Sequence, residues 1–272
     1  MTDIAFNRKD TGRTLVMGIL NCTPDSFSDG GKYTDPDKAA DHALQMVEEG
    51  ADIIDIGGES TRPGFTPVDG DEELKRVIPV IRKLGESGVL MSVDTTKTEV
   101  AKAALEAGCA VLNDIGGDLK SGEMARVAAA NDAYLVIMFN CRNGGGCSGS
   151  VTEAAEKELS SNIEYALSQG VGENRIIVDP GIGFGTTRQQ DIELTEYVKT
   201  MASWEYPVLY AASRKRIVKD LYECGNDPYI RDCCSDALAL VAASYGASIV
   251  RSHRIRELKA QLGVLDRFAG GL

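Results

Sequence analysis

Eight short apolar runs of β-forming residues recur along the chain with helix-patterned stretches between them, and this alternation leaves few folds open. The runs are "TLVMGIL" (14–20), "DIIDIG" (52–57), "VLMSVD" (89–94), "AVLNDI" (110–115), "AYLVIMF" (133–139), "RIIVDP" (175–180), "PVLYAA" (207–212) and "SIVRSH" (248–253). Strands that alternate with helices in this way build a parallel sheet wrapped by those helices. In "DPDKAADHALQMVEEG" the residues Ala40, Ala43, Leu44 and Val47 fall at helical spacing and Gly50 supplies a stop. "DEELKRVIPVIRKLGESG", "TKTEVAKAALEAG", "TEAAEKELSSNIEYALSQG" and "CSDALALVAASYG" follow the same plan, and residues 254–268 form the last helix. Eight such repeats in 272 residues predict an α/β fold, a (β/α)8 TIM barrel in a single domain with the barrel spanning about 14–268. A doubly wound open sheet is the alternative. The Gly-rich "CRNGGGCSGS" (141–150) reads as a long loop after the fifth strand.

Charge and composition narrow the function. The 29 Lys and Arg against 41 Asp and Glu give a net charge of -12, which disfavours non-specific nucleic-acid binding. The sequence offers no run of about 18 apolar residues and no charged-then-apolar leader, so the expectation is a cytoplasmic protein without a membrane partner. The cysteines at 22, 109, 141, 147, 224, 233 and 234 form no CxxC pair, and reduced thiols are expected. With only His42 and His253, and neither beside another ligand type at zinc spacing, a zinc site is not expected. A Ser-His-Asp hydrolase is disfavoured because no GxSxG elbow occurs.

In barrels of this kind the active site lies at the carboxyl ends of the strands, so each strand's last residues and following loop face the substrate. Those positions are polar throughout: Asn21; Asp55 with "GGESTRPG"; Asp94; Asn113 and Asp114; Asn140; Asp179; Ser213 to Lys215; Arg251 and His253. Taken singly, Asp and Asn could simply cap the following turn or helix. Asp94, Asn113 and Asp179 converging on one mouth would instead suit a flat heterocycle whose amidine-like edge donates paired hydrogen bonds. Lys215, Arg251 and His253 fall at strands seven and eight, where barrels often bind phosphate, and imply an anionic ligand group. The glycines of "DPGIGFG" (179–185) do not match a dinucleotide fingerprint and are expected to let backbone approach a bound ring.

The motifs "MGILNCTPDSFSDGG", "DIGGESTRPG", "SVDTTKTEVAKAALEAG", "LNDIGG", "IIVDPGIGFG", "SRK" and "IVRSH" together resemble the dihydropteroate synthase family, in order over about residues 14–265. The resemblance implies a transferase of folate biosynthesis that condenses 6-hydroxymethyl-7,8-dihydropterin diphosphate with 4-aminobenzoate, giving 7,8-dihydropteroate and diphosphate. It implies a pterin held by Asp94, Asn113, Asp179 and Lys215, with Asp94, Lys215 and Arg251 serving catalysis. Asn21, Arg251 and His253 would serve the diphosphate, with Asn21 as a ligand of Mg²⁺. Ser26, Phe27, Thr61, Arg62 and Pro63 would belong to two mobile loops around the aminobenzoate. A homodimer is implied as well. This sequence departs from the family's pattern at Phe139, Thr186, Arg216 and Arg254, where a histidine, a lysine, a serine and an acid are common. Two other readings share the barrel: a catalytically silent pterin-binding paralogue, and a methyltetrahydrofolate-dependent methyltransferase acting on a corrinoid protein. The latter has no use for a diphosphate cluster.

Overall fold

The computed structural model describes residues 4–23, 35–59, 67–144, 147, 149–221 and 227–269. All eight apolar runs become strands: β1 (Leu15–Asn21), β2 (Ile53–Gly57), β3 (Met91–Asp94), β4 (Val111–Asp114), β5 (Tyr134–Met138), β6 (Ile176–Asp179), β7 (Leu209–Tyr210) and β8 (Ile249–Ser252). Their order is β6-β5-β4-β3-β2-β1-β8-β7, with every pairing parallel. A single parallel bridge, Val178 to Val208, joins the two ends, so the sheet closes into a barrel and not into the open alternative. The Val178 N–H donates to the Pro207 carbonyl at 2.9 Å across this seam.

Ten α-helices surround the strands: α1 (Arg8–Thr11), α2 (Pro36–Glu48), α3 (Gly70–Leu84), α4 (Thr98–Glu106), α5 (Met124–Ala130), α6 (Val151–Ser168), α7 (Arg188–Met201), α8 (Arg216–Leu221), α9 (Pro228–Ser244) and α10 (Ile255–Ala269), counted among the described residues. Their starts are set by local chemistry. Asp35 and Asp227 each cap a helix whose first residue is proline, and Ser150 accepts from the Glu153 N–H. Thr187 and Gln190 form a reciprocal capping box at α7. The Asp227-Pro228 start lies well upstream of "CSDALALVAASYG", so α9 begins earlier than its apolar periodicity alone predicts.

The main apolar cluster lies between the outer faces of the strands and the helices. A second cluster fills the barrel's lower half, built from alternate strand residues such as Met17, Ile53, Val111, Val136, Ile177 and Ile249. The segment before β1 closes that end: Phe6 packs edge-on to Tyr134 at 4.6 Å, and the Tyr134 hydroxyl receives the Ile4 N–H at 2.7 Å. Arg175 lies over the Tyr134 ring at 4.5 Å and holds Asp132 through two nitrogens.

One expectation about the cysteines is corrected. Cys141 and Cys147 are joined in a disulfide, their Cα atoms 5.7 Å apart. The expectation of reduced thiols does not hold for this pair. Cys22 and Cys109 are buried thiols, and Cys233 and Cys234 are unbridged to one another.

Candidate active site

Side chains alternate along a strand, so the inward face of each can be followed upward. Ile53, Val111, Ile177 and Ile249 belong to the interior apolar cluster. Two residues further along the same strands stand Asp55, Asn113, Asp179 and Arg251. The period of two that fills the lower barrel with aliphatic residues thus delivers a ring of ionic and amide groups at its carboxyl end.

Arg251 ties this ring together. Its Nε donates to Asp55 Oδ2 at 2.6 Å and its Nη2 to Asp94 Oδ2 at 2.9 Å, bridging β8 to β2 and β3. Asn113 Nδ2 donates to the same Asp55 oxygen at 3.0 Å, which orients the amide and leaves Asn113 Oδ1 buried without a hydrogen-bond partner. Buried acceptors without donors are uncommon, and this one lacks a partner at the strand ends where a ligand's N–H could supply it. On the other side, Lys215 Nζ donates to the Ile182 carbonyl at 2.8 Å and lies 4.5 Å from the centre of the Phe184 ring. Asp179 Oδ1 accepts the Gly181 N–H at 2.7 Å.

Burial dominates the electrostatics. It pushes Asp94 up to about 7, against the pull of Arg251 and with Asp55 adding like-charge repulsion. Asp179 is raised by burial too, opposed by the Lys215 charge and the Gly181 hydrogen bond. Lys215 is brought down to about 8 by burial, which the Asp179 carboxylate only partly offsets. Arg251 is disfavoured by burial, yet Asp55 and Asp94 more than compensate and its pKa is raised.

Two of the remaining expected residues lie at neighbouring strand ends. Asn21 ends β1 opposite Gly57 of β2. His253 Nδ1 and Ser213 Oγ share a hydrogen bond of 2.9 Å, joining the ends of β7 and β8. Ser26, Phe27, Thr61, Arg62 and Pro63 lie outside the described residues. Asp55 is the residue that sequence reasoning undervalued: it was visible as a carboxylate inside the apolar "DIIDIG", where a parallel strand tolerates a charge only if it faces a partner. Phe184 and Arg142, whose guanidinium stands 4.9 Å from that ring's centre, carried no such signal.

Two of the "DPGIGFG" glycines are required by close approaches within the protein itself. A Cβ on Gly181, at φ +73°, would stand 1.8 Å from the Phe139 carbonyl oxygen, and one on Gly185, at φ +81°, 2.7 Å from the Arg142 nitrogen. They let the β6–α7 loop lie against the backbone following β5. The four departures are also placed. Phe139 is buried in the outer core, and Thr186 Oγ1 donates to Asp191 Oδ1. Arg216 donates to the Thr186 carbonyl, and Arg254 pairs with Asp236.

Acids and bases gathered at the carboxyl ends of eight parallel strands are the mark of a (β/α)8-barrel enzyme acting on a small molecule. Residues 17–253 match the family of pterin binding enzymes. A dihydropteroate synthase of Streptococcus pyogenes is 43% identical over 257 residues, 94% of this chain and 96% of that one. Among solved structures, the dihydropteroate synthase of Xanthomonas albilineans with 4-aminobenzoic acid superposes with a TM-score of 0.89 at 38% identity, covering 94% of this chain and 93% of that one. The same organism's enzyme in complex with 7,8-dihydropteroate gives 0.87 at 34% identity, covering 98% and 95%. The chain belongs to the pterin binding enzymes, and within them to the dihydropteroate synthase family.

Proposed function

We propose that the strand-end pocket joins 6-hydroxymethyl-7,8-dihydropterin diphosphate to 4-aminobenzoate and releases 7,8-dihydropteroate and diphosphate. The observation that carries this reading is the set of buried acceptors: Asn113 Oδ1 without a donor, and the Asp94 and Asp179 carboxylates at neighbouring strand ends. The pterin's amino-pyrimidine edge supplies N–H groups in the same plane, and each satisfied pair removes a desolvation penalty of about 1–3 kcal/mol. Structural neighbours support one reactant and the product of this reaction, with 4-aminobenzoic acid bound in one and 7,8-dihydropteroate in another.

In the reaction, the C–O bond between the pterin methylene and the diphosphate breaks, and the electron pair leaves with the diphosphate oxygen. The aniline nitrogen supplies the pair for the new C–N bond and passes a proton to the departing diphosphate or to solvent. Asp94 and Asp179 favour the electron-poor pterin as the bond breaks. Arg251 and His253 place hydrogen-bond donors on the side where the diphosphate departs, while Lys215 stays beside Asp179 at the pterin, the kind of preorganised electrostatics that contributes most to such steps. Arg251 serves both groups, because it anchors Asp55 and Asp94 while standing at the end of β8.

Among the described residues no cluster of three or more His, Cys, Asp or Glu side chains could hold a metal ion. The amide oxygen of Asn21 fits magnesium only as part of an oxygen set shared with the substrate's phosphates, which is how this ion is commonly held. Magnesium bound in that way would supply charge to the leaving oxygens. A homodimer belongs to the same proposal. Val264 and Phe268, one turn apart on α10, are exposed apolar side chains on a protein surface where a second copy could cover them. No helix among the described residues is long and apolar enough to cross a membrane.

Purified protein given the dihydropterin diphosphate and magnesium, with and without 4-aminobenzoate, tests the reading. The expected result is diphosphate release matched by dihydropteroate formation. Tight pterin binding without aminobenzoate-dependent product would contradict it and favour a silent binding protein.

A further inference from the structure

Beside Asp94, sharing a small cavity with it, lies a second ionic cluster that the proposed reaction does not use. Lys97 follows Asp94 by three residues and stands at the start of α4. Its Nζ donates to Glu59 Oε2 at 2.9 Å and to Glu73 Oε2 at 2.5 Å. Glu73, in the first turn of α3, is 1% exposed and its Oε1 has no hydrogen-bond partner. Glu59, just past β2, accepts the Val68 N–H through the oxygen that Lys97 also holds. Glu59, Glu73 and Lys97 line one small cavity together with Asp94.

A carboxylate as buried as Glu73 is costly unless a cation stays beside it. Burial opposes the Lys97 charge, but the hydrogen bonds to Glu73 and Glu59 outweigh it and hold the ammonium above its ordinary range. The charged groups facing Asp94 are Arg251 from β8, Asp55 from β2, Lys215 from the end of β7 and Glu73 from α3. Of these four, only Glu73 acts from outside the ring of strand ends, and Lys97 is bound to it directly.

We propose that Lys97 is a positioning residue of the site: clamped between Glu59 and Glu73, it offsets one of these two outer negative charges so that Asp94 meets the substrate as an acceptor. Lys97 touches no substrate and acts only through Asp94. The proposal rests on Asp94 serving the pterin, as argued above.

The test is the acidic limb of the pH profile of kcat/KM for the dihydropterin diphosphate. Protonation of Asp94 removes its acceptor, so the rate constant falls as pH falls through that group's pKa. In Lys97→Met the uncompensated negative charge makes Asp94 harder to ionise and moves the limb upward, by about half to one pH unit for one charge at this range. Glu73→Gln removes a negative charge without stranding another, and moves the limb downward. Lys97→Arg restores the original position. A generally loosened structure would not shift the limb in opposite directions for two members of one cluster, and thermal unfolding of each variant checks that it is folded. An unmoved limb in Glu73→Gln, or shifts of the same sign in Glu73→Gln and Lys97→Met, would overturn the proposal. Asp94→Asn separates the two levels. If it keeps the limb, the assignment of Asp94 to the pterin fails; if it abolishes the limb while Glu73→Gln leaves it in place, only the role of Lys97 fails.

Discussion

Asp94 and Lys215 sit a few strands apart with opposite charges, and burial moves them toward each other, to about 7 and about 8. If Asp94 must be ionised and Lys215 protonated for the pterin to bind, kcat/KM rises as pH climbs through the first value and falls above the second. The expected profile is a narrow bell whose limbs are macroscopic values of the coupled site. Measuring kcat/KM from about pH 5.5 to 9.5 decides this, and a flat profile across pH 7 would remove Asp94 from the role given to it. Lys215→Ala should weaken pterin binding and lower turnover together, by about 10- to 100-fold for one charge-assisted hydrogen bond. Unchanged steady-state kinetics would take Lys215 out of the site. At this scale the sequence was informative because strand-end position is readable: Asp94, Asn113, Asp179, Lys215 and Arg251 were all named from it. What it did not reveal was partnership. Arg251 was expected to serve the diphosphate; its hydrogen bonds to Asp55 and Asp94 join it to residues 196 and 157 positions away in sequence, which no local pattern encodes.

Among the elements, the β6–α7 loop is the one whose backbone is most tightly specified. Gly181 combines a positive φ of +73° with a Phe139 carbonyl oxygen 1.8 Å from where a Cβ would stand. Gly181→Ala should therefore cost stability beyond the 1–3 kcal/mol typical of a strained backbone position, and should displace Phe139 and the adjoining Asn140. Urea unfolding measures the first effect, and a loss smaller than about 1 kcal/mol would show that the two loops separate easily. The strands were legible because parallel strands covered by helices leave clear apolar runs. β7 was over-read, six residues against the observed Leu209–Tyr210, because the inter-strand pairing that defines it is set by Val178 and Ile249 on its neighbours. The Cys141–Cys147 link was not legible either, since a pair six residues apart without a CxxC pattern carries no disulfide signal.

For the whole molecule, the barrel has a catalytic end made of charges and a closed end made of packing. Phe6 and Tyr134 belong to the closed end, with Phe6 2% exposed. Phe6→Ala should lower stability by about 3 kcal/mol while leaving kcat and KM near their original values, because nothing it touches reaches the strand carboxyl ends. A large change in kcat with little change in melting temperature would contradict that division. The central claim concerns the other end, where inward acceptors two residues above the apolar layer hold the pterin. Calorimetric titration of dihydropterin diphosphate, without aminobenzoate, into the original protein and into Asp179→Ala tests it most directly. The account expects Asp179→Ala to lose at least about 100-fold in affinity, since an ionised acceptor to a ligand N–H is worth roughly 1.5–3 kcal/mol and truncation also leaves Lys215 without its carboxylate neighbour. An affinity within about twofold of the original, a difference under about 0.5 kcal/mol, would contradict it.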